Sequence, residues 1–397
     1  MPATSAPGPD QGAATRSAGP GRRSGWLRWL LAGAGIAAAA VAAALFPAGA
    51  GHAAAQDWPP FVLVAGLLLI GLVADDDQLF AAAGYWLGRA ARNGFMLFAG
   101  AAVIIGVVTA VLNLDTSVAF LTPVLVYTAR SRGAAGPALV YGTLLLSNAG
   151  SLLLPGSNLT NLIVLGHLHL SGGQFVARMW LPWLVSLVVT AAVAGWCERG
   201  SLRTAGREPG PPPHPVLGLG LAAVVAATAA VVLLQNAALP VAGIGVVAAG
   251  TRLVRRREQP RRVVGVLGVP VLAGLLGVAV ALGALGRAWA GPAELLAHLD
   301  SWATAAFAAL MTVVVNNLPA ASLLAARTPP HPFSLLVGLN LGPNLCVTGS
   351  LAWLLWLRAA RAAGGAPDIR RASRIGLIAV PVSMAAALGA LALTGSA

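Results

Sequence analysis

Asp115 lies in LNLDTSVAFLTP, residues 112–123, with apolar sequence running away from it on both sides. A carboxylate deep in an apolar stretch is expensive, and one that persists there usually takes part in chemistry. Other acids, such as Asp75, Asp76 and Asp77, fall at the ends of such stretches, so Asp115 is the one read as buried. Two roles suit it, carrying a proton or coordinating a coupling cation. A structural role competes, in which the carboxylate caps a helix by accepting from the N–H groups of Ser117 and Val118. Asn113 and Thr116 complete the polar turn around it.

Three further groups of neutral polar residues interrupt apolar sequence. SNAGSLLLPGSNLTNLIV, 147–164, carries Ser157, Asn158, Thr160 and Asn161. VVNNLPAASLLAA, 314–326, carries Asn316 and Asn317, and LNLGPNLCVTGSLAWLLWLR, 339–358, carries Asn340, Asn344, Thr348 and Ser350. Amides and hydroxyls supply both donors and acceptors. They would hold an anion at a helix N-terminus or a neutral polyhydroxyl solute by hydrogen bonding, or else satisfy the backbone groups that a broken helix frees. Cys346, in the last group, offers a soft ligand to a thiophilic metalloid, against the commoner role of a buried thiol as a small hydrophobe.

Other chemistry finds little support. Two cysteines, Cys197 and Cys346, cannot build a disulfide framework or a metal cluster. His167 and His169 are two apart and do not share a helical face. No glycine-rich phosphate loop, nucleophile elbow or zinc motif occurs, so neither an enzyme nor a resident cofactor is expected.

These residues need elements to position them. Of 397 residues 57% are hydrophobic and 9% charged, and the mean hydropathy is +0.80, which calls for lipid as solvent. Long Ala, Leu and Val runs fit membrane helices rather than the alternating strands of a barrel. The net charge of +13 comes from arginines placed between apolar spans, which matches the positive-inside rule and not a nucleic-acid surface. The apolar core at 27–46 is longer than that of a signal peptide, so it reads as a retained helix. Trp180, Trp183, Trp353 and Trp356 read as interfacial belts.

With the N-terminus cytoplasmic, segments 87–93, 129–135, 197–214, 251–262 and 358–374 lie inside and hold nearly all the arginines; Arg178, Arg287 and Arg327 are the exceptions. This works only if 94–128 is a re-entrant hairpin turning at 113–116 and 136–170 is one helix broken at 155–161. A hairpin at 301–326 and a break at 342–349 repeat the order from the opposite face. The expected fold is an all-α polytopic membrane protein of inverted repeats, each with a re-entrant hairpin and a broken transmembrane helix. Residues 1–25 form a disordered cytoplasmic tail, 26–196 the first repeat, 197–214 a Pro- and Arg-rich cytoplasmic linker and 215–397 the second repeat.

LNLDTSVAFLTP, SNLTN, VVNNLPA and LGPNLCVTGSLAWLLWL resemble, in order, the signature segments of ArsB-type arsenite permeases, within the ion transporter superfamily that includes citrate and divalent-anion carriers. The resemblance spans about residues 60–394. It implies a multi-pass cell-membrane protein exporting arsenite or antimonite in exchange for protons, sometimes with a soluble ATPase subunit, and it allows a homodimer. It carries over Asp115 as the hairpin acid, with Asn158, Asn161, Asn316, Asn317, Gly342, Pro343, Gly349 and Ser350. Leu114 stands where an Asn often precedes the acid, Asn344 where many arsenite permeases have Lys, and Cys346–Val347 where Thr-Pro is usual. Proton-coupled arsenite efflux is therefore the first expectation. Sodium- or proton-coupled transport of a carboxylate or divalent anion is the second, and a channel or scaffold the third.

Overall fold

The computed structural model describes residues 23–166, 168, 170–203, 215, 217–234, 236–255 and 258–395. The tail through residue 22, His167, His169 and the linker body at 204–214 lie outside the described residues. Among the described residues there are helices and turns and no strand.

The first repeat opens with α1 (Arg23–Leu45), α2 (Pro47–Asp76) and a short α3 (Leu79–Ala90). Its hairpin is α4 (Gly94–Val111) and α5 (Leu114–Arg132), and its broken helix is α6 (Gly136–Gly150) and α7 (Leu159–Leu165). α8 (Gly172–Cys197) and a single turn, α9 (Arg199–Leu202), follow. After α10 (Leu219–Leu233) come α11 (Ala238–Val254), α12 (Pro260–Leu267), α13 (Val269–Ala288) and α14 (Gly291–Ala297). The second hairpin is α15 (Ser301–Val315) and α16 (Asn317–Leu324), the second broken helix α17 (Pro332–Leu341) and α18 (Ala352–Ala362), and α19 (Ile369–Leu393) ends the chain's helical part. Among the described residues, five segments are long and apolar enough to cross a bilayer alone: Pro47–Asp76, Gly94–Val111, Gly172–Cys197, Pro260–Ala288 and Ile369–Leu393.

Packing shows the repeat. α1 lies on α13 and α11 on α2; α4 lies on α6 and α15 on α17; α5 lies on α18 and α16 on α7. The segments α1–α8 and α11–α19 thus follow one pattern, with α10 between them. Each hairpin sends its second arm to the other repeat's broken helix. Glycines permit the equivalent crossings: a methyl on Gly35 would lie 2.0 Å from Gly274 O, and one on Gly245 would lie 2.5 Å from Gly66 O. Such contacts let helix backbones approach where lipid supplies no hydrophobic drive to association. Asn93 and Asp300 start the two hairpins alike, capping α4 and α15 by accepting from Met96 N (2.9 Å) and Ala303 N (2.8 Å).

Two expectations need correction. α2 begins at Pro47 and runs through Pro59 and Pro60, two prolines that by themselves favour a helix start. Asp57 is therefore inside a membrane helix and 2% exposed, so Asp115 is not the only acid at depth. Trp353 and Trp356 are fully buried rather than interfacial, donating through Nε1 to Pro343 O and Val140 O, both at 2.7 Å. Arginines on the expected cytoplasmic face also join the repeats. Arg252 pairs with buried Asp77, Arg371 holds buried Glu198 through two bonds of 2.7 Å, and Arg130 donates to Ala363 O at 2.9 Å and to Gly364 O.

Candidate functional site

Each hairpin turns on an asparagine that caps the following arm. Asn113 Oδ1 accepts from Thr116 N at 2.6 Å, and Asn316 Oδ1 accepts from Leu318 N at 3.4 Å. Asn316 has φ +77°, a left-handed conformation that Asn tolerates better than most residues with a side chain. Each turn is also tied to its own helix break. In the first repeat Ser157 Oγ donates to Ala110 O at 3.0 Å. In the second, Asn316 Nδ2 donates to Thr348 O at 3.0 Å, Asn317 N to Gly349 O at 2.9 Å, and Thr348 Oγ1 to Val313 O at 2.7 Å.

The two breaks are then joined to each other. Asn148 Nδ2 donates to Asn344 Oδ1 at 2.8 Å, and Asn344 Nδ2 donates to Leu145 O at 3.0 Å. Asn340 Oδ1 accepts from Ser151 Oγ and Asn158 Nδ2, both at 2.7 Å, while its Nδ2 donates to Asn161 Oδ1 at 2.8 Å. Asn161 Nδ2 donates to Ser151 O at 2.7 Å and Leu154 O at 3.1 Å. Asn158, Asn161, Asn340 and Asn344 are at most 5% exposed and bond mainly to one another and to freed carbonyls. In this conformation they act as a clasp between the repeats.

Free polar groups lie elsewhere. Asp115, in the first turn of α5, is half-buried and makes no hydrogen bond or ion pair among the described residues. Close to it in sequence, Asn113 Nδ2 and Thr116 Oγ1 are buried without a partner. The same holds for Thr160 Oγ1 on α7 and Ser350 Oγ in the second break. Since buried polar groups are nearly always paired, the unpaired ones flanking Asp115 at the hairpin turn mark a place where a solute or water completes the bonding. Next to it, Ser117 Oγ accepts from Thr109 Oγ1 at 2.7 Å and lies 3.2 Å from Ser147 Oγ. Cys346 Sγ stands 2.9 Å from Thr348 Oγ1, so its thiol has a hydroxyl neighbour rather than an apolar pocket. No group of three His, Cys, Asp or Glu side chains able to hold a metal occurs among the described residues.

Sequence reasoning missed Asn148 and Ser151, because SNAGS reads as an unbroken helix while the structure ends α6 at Gly150. It placed the break at 155–161, yet Asn161 is already within α7. A signal was present in the spacing: Asn148-Ala-Gly150 in the first repeat matches Asn340-Leu-Gly342 in the second.

Among curated protein sequences none matches the chain. The solved structure of the YdaH transporter from Alcanivorax borkumensis, described as having an unusual topology, matches with a TM-score of 0.51 at 15% identity. The match covers 93% of this chain and 97% of that one, and it supports the fold alone. The family model for citrate transporters (CitMHS) matches residues 26–338. With this match added to the paired hairpins and broken helices, the chain belongs to the citrate transporter family and is a multi-pass membrane transporter.

Proposed function

We propose that the protein is a secondary transporter that couples movement of a small carboxylate to protons, with Asp115 as the coupling group. The observation that carries this reading is the unpaired, half-buried Asp115 at a hairpin turn whose neighbours Asn113 Nδ2 and Thr116 Oγ1 are buried without partners. Donors without partners suit a carboxylate, which accepts only, and Asp115 can gain or lose a proton as that charge arrives. Membership of the citrate transporter family favours a carboxylate over the metalloid that the sequence segments suggest. Asn113, Thr116, Thr160 and Ser350 would contact the substrate; Asn158, Asn161 and Asn344 would hold the breaks in register. The two repeats, α1–α8 and α11–α19, would rock about the asparagine clasp, and the arginine-rich face would be cytoplasmic under the positive-inside rule.

The test is uptake of labelled citrate by proteoliposomes under an imposed pH gradient, repeated with a sodium gradient. Wild type should accumulate citrate with the proton gradient, and Asp115→Asn should lose that dependence. Full proton-driven uptake by Asp115→Asn would reject the assignment. Arsenite or antimonite transport is the second reading, favoured by Cys346 beside Thr348 in the second break. Arsenite flux in the same vesicles that vanishes in Cys346→Ser, with no citrate flux, would select it.

A further inference from the structure

A cavity of about 900 Å³ opens beside the first half of α2 and extends to Pro155, where the first helix break begins. Most of its lining is apolar, and Arg287, at the end of α13, is its one arginine among the described residues. Arg287 is also one of the three arginines that the positive-inside pattern leaves unexplained. Its side chain is held by neutral groups. Nη1 donates to Gly283 O at 3.0 Å and Nη2 donates to Gln56 Oε1, while Gln56 Nε2 is itself anchored on Ile163 O at 3.0 Å. A guanidinium has five N–H donors, so this arrangement fixes the fork and leaves donors for a ligand.

The acid beside it is Asp57. It is 2% exposed, takes part in no ion pair among the described residues, and its Oδ2 has no hydrogen-bond partner. Ser322 Oγ on α16 is buried beside the carboxylate and is its hydrogen-bonding neighbour. Gly283 leaves the space between the two charges: a methyl there would lie 3.2 Å from Arg287 Nη1 and 3.8 Å from Asp57 Oδ2. Few other charges face this place. α7, α10, α16 and the described part of α1 that follows Ala32 carry none. Arg252 on α11 is committed to Asp77 at the far end of α2, and Arg327 donates to Arg287 O at 2.9 Å. His52, one turn before Gln56 on α2, is the remaining titratable group on the cavity wall.

We propose that this cavity is an anion-binding vestibule in which Arg287 receives the substrate's carboxylate, and that Asp57, behind the cavity wall near Arg287, takes up a proton from solvent as the substrate binds. Two carboxylates beside one guanidinium, away from water, repel each other unless one is neutralised. Anion occupancy and protonation of Asp57 are thereby linked, separately from Asp115. The vestibule rests on the reading of the protein as a carboxylate transporter, and deepens it by naming where the anion is first recognised.

Binding and transport distinguish the two. Thermal unfolding of the full chain in detergent, titrated with citrate, succinate, sulfate and the neutral polyol sorbitol, reads binding without flux, because a ligand that binds the folded state raises its stability. Wild type should be stabilised by the anions and not by sorbitol. Arg287→Gln should weaken the apparent affinity at least tenfold, while Arg287→Lys, which keeps the charge, should keep it within about threefold. Sulfate, whose charge is constant across the neutral range, should bind wild type more tightly as pH falls, and Asp57→Asn should bind tightly with that dependence removed. If no anion stabilises wild type, or if Arg287→Gln retains wild-type affinity, the vestibule is rejected even where citrate flux is found. Anion binding lost in Arg287→Gln, in a protein that moves no carboxylate, would uphold the vestibule and reject the transport reading. An unchanged pH dependence in Asp57→Asn removes Asp57 from the proposal.

Discussion

Asn340 on α17 donates through Nδ2 to Asn161 Oδ1 on α7 at 2.8 Å, joining the last turn before one helix break to the first turn after the other. The same amide oxygen that Asn340 presents to Ser151 and Asn158 completes a bridge between the two repeats. Asn340→Leu keeps the volume but strands Asn161 Oδ1 in a dry interior, at about 1–3 kcal/mol, and leaves Asn158 Nδ2 with only a long bond to Ser151 Oγ at 3.4 Å. Thermal unfolding in detergent should therefore show a clear loss of stability, larger than for Asn316→Ala at the partly exposed second turn. Equal midpoints for wild type and Asn340→Leu would mean that the clasp contributes nothing.

How far the sequence carries depends on which kind of signal each part rests on. Turns that need a capping side chain are legible: Asn113 and Asn316 lie where α5 and α16 begin. Breaks inside apolar sequence are less so, because Ser151-Leu-Leu-Leu154 has the composition of a continuing helix. Asp57 was hidden by Pro59 and Pro60, which read as a helix start, whereas the membrane helix runs through both prolines because neighbours and side chains can satisfy the carbonyls they free. The asparagines at the breaks were recognisable as special. Their partners were not, because a bond such as Asn148 to Asn344 spans 196 residues and depends on how the repeats cross.

Arg252 and Asp77 offer a second test of how the repeats are held. Both side chains are at least nine-tenths buried, and Asp77 Oδ2 also accepts from Gly220 N at 2.8 Å. Arg252→Gln leaves a buried carboxylate without its cation, which costs about 3–5 kcal/mol. Adding Asp77→Asn should recover part of that loss. The double-mutant cycle should give a coupling well above 1 kcal/mol, whereas additive effects would mean that the pair is not coupled.

The glycine crossing of α2 and α11 predicts a steric effect with no polar component. A methyl on Gly245 would meet Gly66 O at 2.5 Å and Gly66 Cα at 3.0 Å, and both are backbone atoms that cannot turn aside. Gly245→Val should separate the helices, at a cost of at least about 1–3 kcal/mol, and lower the yield of folded protein. Gly243→Val, on the same helix with nothing within 4 Å, should be tolerated. Chromatography of the two variants side by side reads the difference, and equal behaviour would reject the close crossing.

Thr116 separates a binding role from a structural one. Its methyl packs against α2, where a methyl on Gly71 would lie 2.4 Å from Thr116 Cγ2, while its Oγ1 is buried without a partner. Thr116→Val preserves that packing and exchanges an unsatisfied hydroxyl for a methyl, so the folded protein should be as stable as wild type or about 1 kcal/mol more so. If the hydroxyl serves the substrate, the KM for citrate should nonetheless rise on the order of tenfold, the equivalent of about 1.4 kcal/mol. A variant that is stable and transports with an unchanged KM would place Thr116 in the scaffold and leave Asn113 and Asp115 as the hairpin's substrate-facing groups.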